Sequence, residues 1–236
     1  AKAPQLRVLT SRAYGMRVIV ESVWNRLGLR RALRAIDKDH ATRFDLERMV
    51  FAMVLNRIVD PVSKRACNTW VRDEAWLPEL ADVDVQHFYR ALDLMDAHTD
   101  DILEAVGQAA REGVADDDLA TLLLDTTSSY SESQFDDLER QQIQAEWDAF
   151  DTGEGDEPSA PRPQVINEPP LRMRGHSKDH RPREPQVKLG LLRTHDGRPV
   201  DLQVCAGHVH DQQLTLDLIR AARARMRNQR LIVVMD

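Results

Sequence analysis

The sequence predicts an α + α/β protein, with a helical amino-terminal domain over residues 1–115 and a mixed α/β domain over residues 116–236. Apolar residues first recur every three or four positions, as on one face of a helix. Later they form short continuous runs and strict alternation, as in strands. The third observation is the composition of residues 132–185, which are acidic at first and rich in proline later. This stretch predicts a disordered insertion in the second domain, in which residues 141–150 are compatible with one or two helical turns.

Helices of the first domain are expected to end at clear stop signals. Gly28 follows one apolar stripe, and the Asp60-Pro61 pair follows another, where proline cannot continue a helix. Ser63 stands where the next helix needs a capping oxygen. The two helices around Asp60-Pro61 would fit a helix-turn-helix, but short linkers are common in any helical domain. We expect helices over residues 14–27, 44–59, 63–72, 85–97 and 100–114.

Two short apolar runs in the second domain predict buried strands, and each run ends on an aspartate. Residues 119–124 precede Asp125, and residues 231–235 precede Asp236. Continuous apolar runs of this length are typical of strands that are buried on both faces. We therefore expect both aspartates at the carboxyl ends of strands.

Between these runs the pattern predicts a hairpin and a helix. Residues 186–193 and 199–205 alternate apolar and polar side chains, and Asp196-Gly197 is a favourable turn between them. Residues 211–226 have apolar side chains at helical spacing. Because a helix leads into the last strand, we expect that strand to run parallel to a neighbour in the sheet.

Charge is unevenly distributed along the chain, although the net charge is -7. Residues 1–72 carry a net +9, residues 73–160 a net -22 and residues 161–236 a net +6. The basic blocks are compatible with DNA contact, whereas arginines that only solvate helix faces would produce the same numbers. No apolar run approaches the ~18 residues of a membrane span, and no secretory leader is visible. We expect a cytoplasmic protein without a membrane partner.

Asp125 and Asp236 can meet if their strands are neighbours, because the carboxyl ends of such strands gather at one edge of an α/β sheet. Two carboxylates at one spot repel each other unless a cation lies between them. Mg²⁺ takes oxygen ligands and keeps positions open for water and phosphate. Two such ions about 4 Å apart support phosphodiester cleavage. A turn or a helix cap is the alternative for a single strand-end aspartate, but two of them favour a metal site.

Several short motifs in order resemble the DDE transposases of bacterial insertion sequences. In the amino-terminal domain, Asn56-Arg57 with residues 60–64 (DPVSK) and Trp70 is similar to the helical region of one subgroup. The motifs of the second domain are residues 125–127 (DTT), 175–182 (GHSKDHRP), 186–192 (QVKLGLL), 207–211 (GHVHD) and 233–236 (VVMD).

The resemblance implies an RNase H-like catalytic core that is interrupted by an insertion. It implies that Asp125 and Asp236 hold Mg²⁺ or Mn²⁺, with a glutamate on a later helix as the third ligand. No residue follows Asp236 here, so we expect this chain alone to be an incomplete and inactive enzyme. The intact transposase would cleave DNA at the terminal inverted repeats of its element and join the ends to target DNA. It would act as a homo-oligomer, near the nucleoid.

A basic segment before the hairpin is a candidate for contact with the DNA backbone. A solvated loop would have the same composition, so the resemblance alone favours the DNA contact. Cys205, His208 and His210 could be drawn as a zinc site, but their spacing matches no tetrahedral pattern. The candidate DNA-contact residues are Arg174, His176, Lys178, His180 and Arg181.

Two other functions are compatible with these residues. A metal-dependent nuclease on the same RNase H-like fold would cleave DNA without strand transfer. A non-catalytic remnant would bind DNA and inhibit transposition by occupying element ends or subunits. A strand-transfer assay separates the first alternative from the transposase.

Overall fold

The computed structural model of the chain describes residues 11–112, 121–177, 180–225 and 232–235. The chain divides into two compact units, Ala1–Glu112 and Gly113–Asp236. The described residues form eight α-helices and a mixed sheet of four strands. The general α + α/β class is therefore confirmed.

The first unit is helical throughout its described part, and helix α3 lies at its centre. Residues 46–53 of this helix are all buried. Trp24 of α1 packs edge-on against Phe51 of α3, with 5.5 Å between the ring centroids. The helices are α1 (Gly15–Arg26), α2 (Leu29–His40), α3 (Leu46–Val59), α4 (Lys64–Asp73), α5 (Val85–Ala97) and α6 (Thr99–Arg111), with a 3₁₀ turn at Pro78–Leu80.

Helix α2 is the element that the sequence analysis missed. Its buried stripe consists of Ala32, Leu33 and Ile36, but charged residues dominate its exposed side and masked the periodicity. Gly28, expected only as a stop signal, adopts a left-handed conformation with φ of 73° and leads directly into α2. A Cβ atom at this position would lie 3.0 Å from the Cβ atom of Ala109. Glycine therefore permits both the sharp turn and the close packing.

The four-residue connection between α3 and α4 is held by the buried side chain of Asn56. Its Nδ2 atom donates to the carbonyl oxygen of Asp60 at 2.8 Å, and its Oδ1 atom accepts from the amide of Val62 at 3.3 Å. Ser63 then caps α4 by accepting a hydrogen bond from the amide of Ala66 at 3.2 Å, as predicted. The direction in which α4 leaves the turn is thus set by specific hydrogen bonds.

A network of carboxylates and guanidinium groups lies inside the first unit. The buried side chain of Glu47 accepts hydrogen bonds from Trp24 Nε1 and Arg48 Nε, each at 2.7 Å. Arg48 Nη1 also lies 3.0 Å from Glu21 and 3.5 Å from Glu79. The positive charges of this network are therefore compensated inside the unit. The other arginines that pair with these carboxylates are Arg17, Arg30 and Arg34.

The second unit contains one sheet with the strand order β3-β2-β1-β4. Strand β1 is antiparallel to β2, and β2 is antiparallel to β3 across the predicted turn at Asp196-Gly197. Strand β4 runs parallel to β1, as predicted. The elements are β1 (Thr121–Tyr130), α7 (Asp137–Thr152), β2 (Gln186–Thr194), β3 (Pro199–Ala206), α8 (Asp211–Arg225) and β4 (Ile232–Met235).

Both apolar strands differ from their predicted form. Strand β1 does not end at Asp125, because β2 pairs with it without interruption as far as Tyr130. The polar residues 126–129 stay in the strand since their backbone groups have ladder partners. Strand β4 is not buried on both faces: Ile232 is 57% exposed and Val234 is 48% exposed. It lies at one edge of the described sheet.

Part of the predicted insertion forms helix α7. The helix includes residues 141–150, where one or two helical turns were expected, and the expectation of disorder is wrong for the other residues of Asp137–Thr152. A capping box begins the helix: Asp136 accepts from the amide of Glu139 at 3.0 Å, and Glu139 accepts from the amide of Asp136 at 2.8 Å. Gly153, with φ of 78°, ends it. The Asp-x-x-Glu pattern of this capping box is present in the sequence. The acidic residues around it are also typical of disordered segments, and they favoured the prediction of disorder.

Helix α8 covers one face of the sheet. Leu214 and Leu218 pack against Gly190 of β2, where a Cβ atom would lie 2.3 Å from Leu218 Cδ1. Glycine at this position therefore lets the helix approach the strand closely. Over the described part of the chain, no helix is both long and apolar enough to cross a membrane.

Candidate functional site

Asp125 stands on β1, an inner strand with β2 on one side and β4 on the other. Its cross-strand neighbour on β2 is Leu191. The side chain is exposed, and the described residues offer it no hydrogen-bond or ion-pair partner. The carboxylate is therefore open to a ligand from solvent.

The parallel pairing of β4 with β1 leads a second strand end towards Asp125. Leu124 pairs with Met235 in the register of the two strands. Asp125 follows Leu124 in the sequence, and Asp236 follows Met235. Asp236 itself lies outside the described residues. The two apolar runs before the predicted aspartates thus lie on neighbouring strands, as expected, although Asp125 lies within β1 and not at its carboxyl end.

Side-chain alternation places Asp125 on the face of the sheet that α8 does not cover. Thr126 pairs with Gly190, whose α-carbon faces α8. Even-numbered residues of β1 therefore face α8, and odd-numbered residues face the other side. On that side Leu202 and Val204 of β3 are 37% and 49% exposed. This face of the sheet is therefore open to solvent beside Asp125.

On the opposite face, Lys188 of β2 forms an ion pair with Asp211, the first residue of α8. The distance from Nζ to Oδ1 is 2.6 Å, and the Lys188 side chain is almost completely buried. A carboxylate at this end of a helix also complements the helix dipole. The sequence analysis missed this pair, although a lysine on the buried side of an alternating strand is a visible signal. The pair attaches the start of α8 to the sheet.

The segment before the hairpin is attached to the start of β2. Met173 and Gln186 exchange backbone hydrogen bonds of 3.1 and 3.0 Å, and Gln186 Nε2 donates to the carbonyl oxygen of His176 at 2.9 Å. Gly207 closes this arrangement, because a Cβ atom there would lie 2.2 Å from the carbonyl oxygens of both Gln186 and Met173. The backbone of the predicted DNA-contact segment is therefore fixed at its beginning.

Arg174, a predicted DNA-contact residue, is bound to the start of α7. Its Nη1 atom lies 2.6 Å from Glu139 and 3.4 Å from Asp136. Its Nη2 atom donates to the carbonyl oxygen of Gln134 at 2.7 Å. The hydrogen bond with Glu139 raises the pKa of the Arg174 guanidinium. The structure thus gives Arg174 partners within the protein.

The other predicted contact residues are more open to solvent. The guanidinium of Arg181 lies 4.3 Å from the centroid of the Tyr130 ring and 3.2 Å from Glu184. His176 and His180 are exposed. Lys178 lies outside the described residues. Arg181 and the two histidines therefore remain accessible to a phosphate backbone.

The structure does not bring Arg181 next to Asp125. Tyr130, on which Arg181 stacks, lies five residues along β1 from Asp125, which corresponds to about 17 Å. The odd separation also sends the two side chains to opposite faces of the strand. A ligand that contacts both residues must span more than one nucleotide, as a DNA strand does.

The described part of the chain contains no set of three or more His, Cys, Asp or Glu side chains placed to hold a metal ion. Cys205, His208 and His210 therefore gain no support as a zinc site. Burial raises the pKa of the Cys205 thiol. The pair Asp125 and Asp236 is not covered by this result, because Asp236 lies outside the described residues.

Comparisons with family models, with curated proteins and with solved structures found no match for this chain. The resemblance to DDE transposases thus rests on the sequence motifs quoted above. The topology of the sheet and the chemistry of Asp125 are the structural facts that bear on function.

Proposed function

We propose that the chain carries part of the catalytic core of a metal-dependent DNA transposase, in which Asp125 and Asp236 hold Mg²⁺ or Mn²⁺. The observation that carries the proposal is the parallel pairing of Leu124 with Met235. Each of these two residues is followed directly by an aspartate in the sequence. Two neighbouring parallel strands that lead into carboxylates are the arrangement that a metal site of this kind needs.

The strand order supports an RNase H-like scaffold for this site. Such a core begins with three antiparallel strands, and a helix then returns the chain to a fourth strand that is parallel to the first. Here β1, β2 and β3 are antiparallel, α8 follows, and β4 lies parallel beside β1. In the order of the sequence, helix α7 and the segment that follows it come after β1 and before β2, where the insertion was expected.

The donor set fits a hard divalent cation. Asp125 offers carboxylate oxygens with no competing partner among the described residues, and Mg²⁺ prefers such oxygens. When bound, the ions would activate water and stabilise the leaving oxygen in phosphodiester cleavage. Asp125 acts as a metal ligand in this chemistry and transfers no proton. Its position on the open face of the sheet leaves room for a DNA strand beside it.

Metal binding by this chain tests the role of Asp125 directly. Free Mn²⁺ is followed by electron paramagnetic resonance while the wild-type chain and Asp125→Asn are titrated. We expect Asp125→Asn to weaken the tightest Mn²⁺ site at least about 10-fold, because one charged ligand is lost. Glu146→Gln removes an exposed carboxylate from α7 and serves as the control. Equal Mn²⁺ affinity in all three proteins would show that Asp125 is not a metal ligand.

Catalysis is tested with the product of the complete reading frame that contains this chain. Mn²⁺-dependent nicking of a supercoiled plasmid that carries the element ends should disappear in Asp125→Ala. Joining of pre-cleaved ends to a target plasmid would support the transposase, whereas nicking without joining would support a nuclease. DNA binding without either reaction would support the non-catalytic remnant.

A further inference from the structure

Helix α4 presents a polar face opposite its buried face. Cys67, Trp70 and Val71 are buried in the core of the first unit. With 3.6 residues in each turn, the positions two residues before Cys67 and two residues after it lie on the far side of the helix. The residues on that far side are Arg65, Thr69 and Arg72, and all three are exposed.

The two arginines of this face have no hydrogen-bond or ion-pair partner within the residues that the structure describes. Helix α2 is also rich in arginine, but its arginines lie against carboxylates: Arg31 is 3.3 Å from Glu112, and Arg34 is 3.8 Å from Glu47. The α2 arginines are thus paired with carboxylates inside the protein, and the α4 arginines are open to a ligand. Two further cations, Arg57 and Lys64, flank the turn before α4. The nearest acidic residues in the sequence are Asp60 and Asp73.

The turn before α4 gives this face a defined direction. Four residues join α3 to α4, a length typical of helix-turn-helix units. Asn56 holds both sides of the turn through its two hydrogen bonds, and Ser63 caps the first turn of α4. A recognition helix needs such a rigid support, because its side chains must reach particular base edges.

We infer that α4 enters the major groove of duplex DNA, where Arg65 and Arg72 reach base edges and Arg57 and Lys64 contact phosphates. This inference rests on the proposed function, since it takes DNA as the partner of the chain. The B-DNA major groove is about 12 Å wide and admits an α-helix. Arginine forms bidentate hydrogen bonds with O6 and N7 of guanine. Threonine forms a hydrogen bond with any base or contacts the thymine methyl group.

Binding is measured in EDTA, so that no metal chemistry contributes. The probe is a fluorescein-labelled pool of duplexes of about 30 base pairs with a randomised centre, a length beyond a single helix-turn-helix half-site. We compare the wild-type chain with Arg65→Ala/Arg72→Ala and with Arg26→Ala/Arg43→Ala. The second variant removes the same charge from exposed, unpaired positions on other elements among the described residues. The α4 variant should bind at least about 10-fold more weakly, whereas the control should change little.

Sequencing of the retained duplexes tests whether the helix reads bases. The wild-type chain should enrich a motif with guanine at fixed positions. Arg65→Lys keeps the positive charge but cannot form bidentate hydrogen bonds. This variant should therefore lose the preference for guanine, while its affinity for the random pool stays within about 3-fold of the wild-type affinity. A lysine variant that keeps both preference and affinity would show that Arg65 contacts phosphate only, and would overturn base reading.

Two other outcomes would overturn the inference. A loss of affinity in the control variant as large as that in the α4 variant would show that only net charge matters. A wild-type chain that binds no duplex would remove α4 as a DNA-binding helix. These measurements are separate from the test of Asp125: binding through α4 without any Mn²⁺ site at Asp125 would refute the proposed catalysis and leave the α4 inference standing.

Discussion

The buried Asp137 and the half-buried Arg172 form an ion pair that ties the first turn of α7 to the segment leading into β2. Asp137 Oδ1 lies 3.0 Å from Arg172 Nε and 2.9 Å from Nη2, and Oδ2 accepts from the Arg172 amide at 2.7 Å. Asn167 Nδ2 and the amide of Leu171 also donate to Oδ2, at 2.9 and 3.0 Å. One carboxylate therefore organises a stretch of chain with no helix or strand of its own.

Asp137→Asn should destabilise the second unit by about 2–3 kcal/mol, because the buried carboxylate loses the charge that strengthens the hydrogen bonds it accepts. Urea unfolding at pH 7 measures the change. Glu146→Gln on the exposed side of the same helix is the control and should change the free energy of unfolding by less than about 0.5 kcal/mol. Equal stability of the two variants would contradict the importance of the pair.

The contribution of Asp137 should disappear in acid. Burial by itself raises the pKa of this carboxyl, but hydrogen bonds from Asn167, from the amides of Arg172 and Leu171 and from the Arg172 side chain outweigh it and lower the pKa. A lowered pKa contributes stability above the unfolded value of about 4, and this is lost as pH falls through the folded value. The stabilities of wild type and Asp137→Asn should therefore begin to converge below pH ~4 and meet only below the lowered pKa of the folded state. A difference that stays constant from pH 7 to pH 3 would contradict this account.

Glu47→Gln should destabilise the first unit by about 3 kcal/mol. Burial raises the pKa of the Glu47 carboxyl, but the hydrogen bond and the charge of Arg48, the Trp24 hydrogen bond and the charge of Arg30 together lower it. The neutral amide that replaces the carboxylate would carry no charge to attract Arg48 and Arg30. The buried guanidinium of Arg48 would then lose its closest anionic partner. Three of the four tryptophans belong to this unit, so tryptophan fluorescence during urea unfolding reports on it. Asp93→Asn, on the exposed side of α5, should behave as wild type.

Gly207→Ala should loosen the predicted DNA-contact segment. The added methyl group would lie 2.2 Å from the carbonyl oxygens of Gln186 and Met173, and backbone atoms cannot move aside as a side chain does. We expect a cost of about 2–3 kcal/mol and faster hydrogen exchange at the amides of Met173 and Gln186. Gly155→Ala, where the new atom would make an ordinary 3.4 Å contact, is the control. Unchanged exchange at both amides in Gly207→Ala would show that the segment is not held there.

Cys67 should resist alkylation until the first unit unfolds. Burial raises the pKa of its thiol to about 11, against a smaller opposing effect of the Lys64 charge. At pH 8 only about one thiol in a thousand is then ionised, and the thiolate is the reactive species. Mass spectrometry after iodoacetamide treatment should find Cys205, which is only partly buried, modified first. Equal modification of both cysteines in native protein would contradict the buried position of Cys67.

Local signals explain which parts of the fold were predictable from the sequence. Helix α5 was predicted over the observed residues, Val85–Ala97, because its apolar stripe and its ends are encoded nearby. The continuation of β1 beyond Asp125 was not predictable in this way, because polar residues follow and no local signal extends a strand. Its length depends on β2, which lies on the far side of α7 in the sequence. Asp125 itself was identified from the apolar run before it, but its exposure follows from the register of the sheet.

The sequence by itself determined where most helices and strands form, where positive and negative charges concentrate along the chain, and which aspartates follow apolar strands. Only the tertiary structure decided which charges are compensated. Arg31 and Arg174 find carboxylates that are distant in the sequence, whereas Arg65 and Arg72 find none among the described residues. The physical reason is that charge pairing depends on separation in space, which falls to about 3 Å only when folding brings distant residues together.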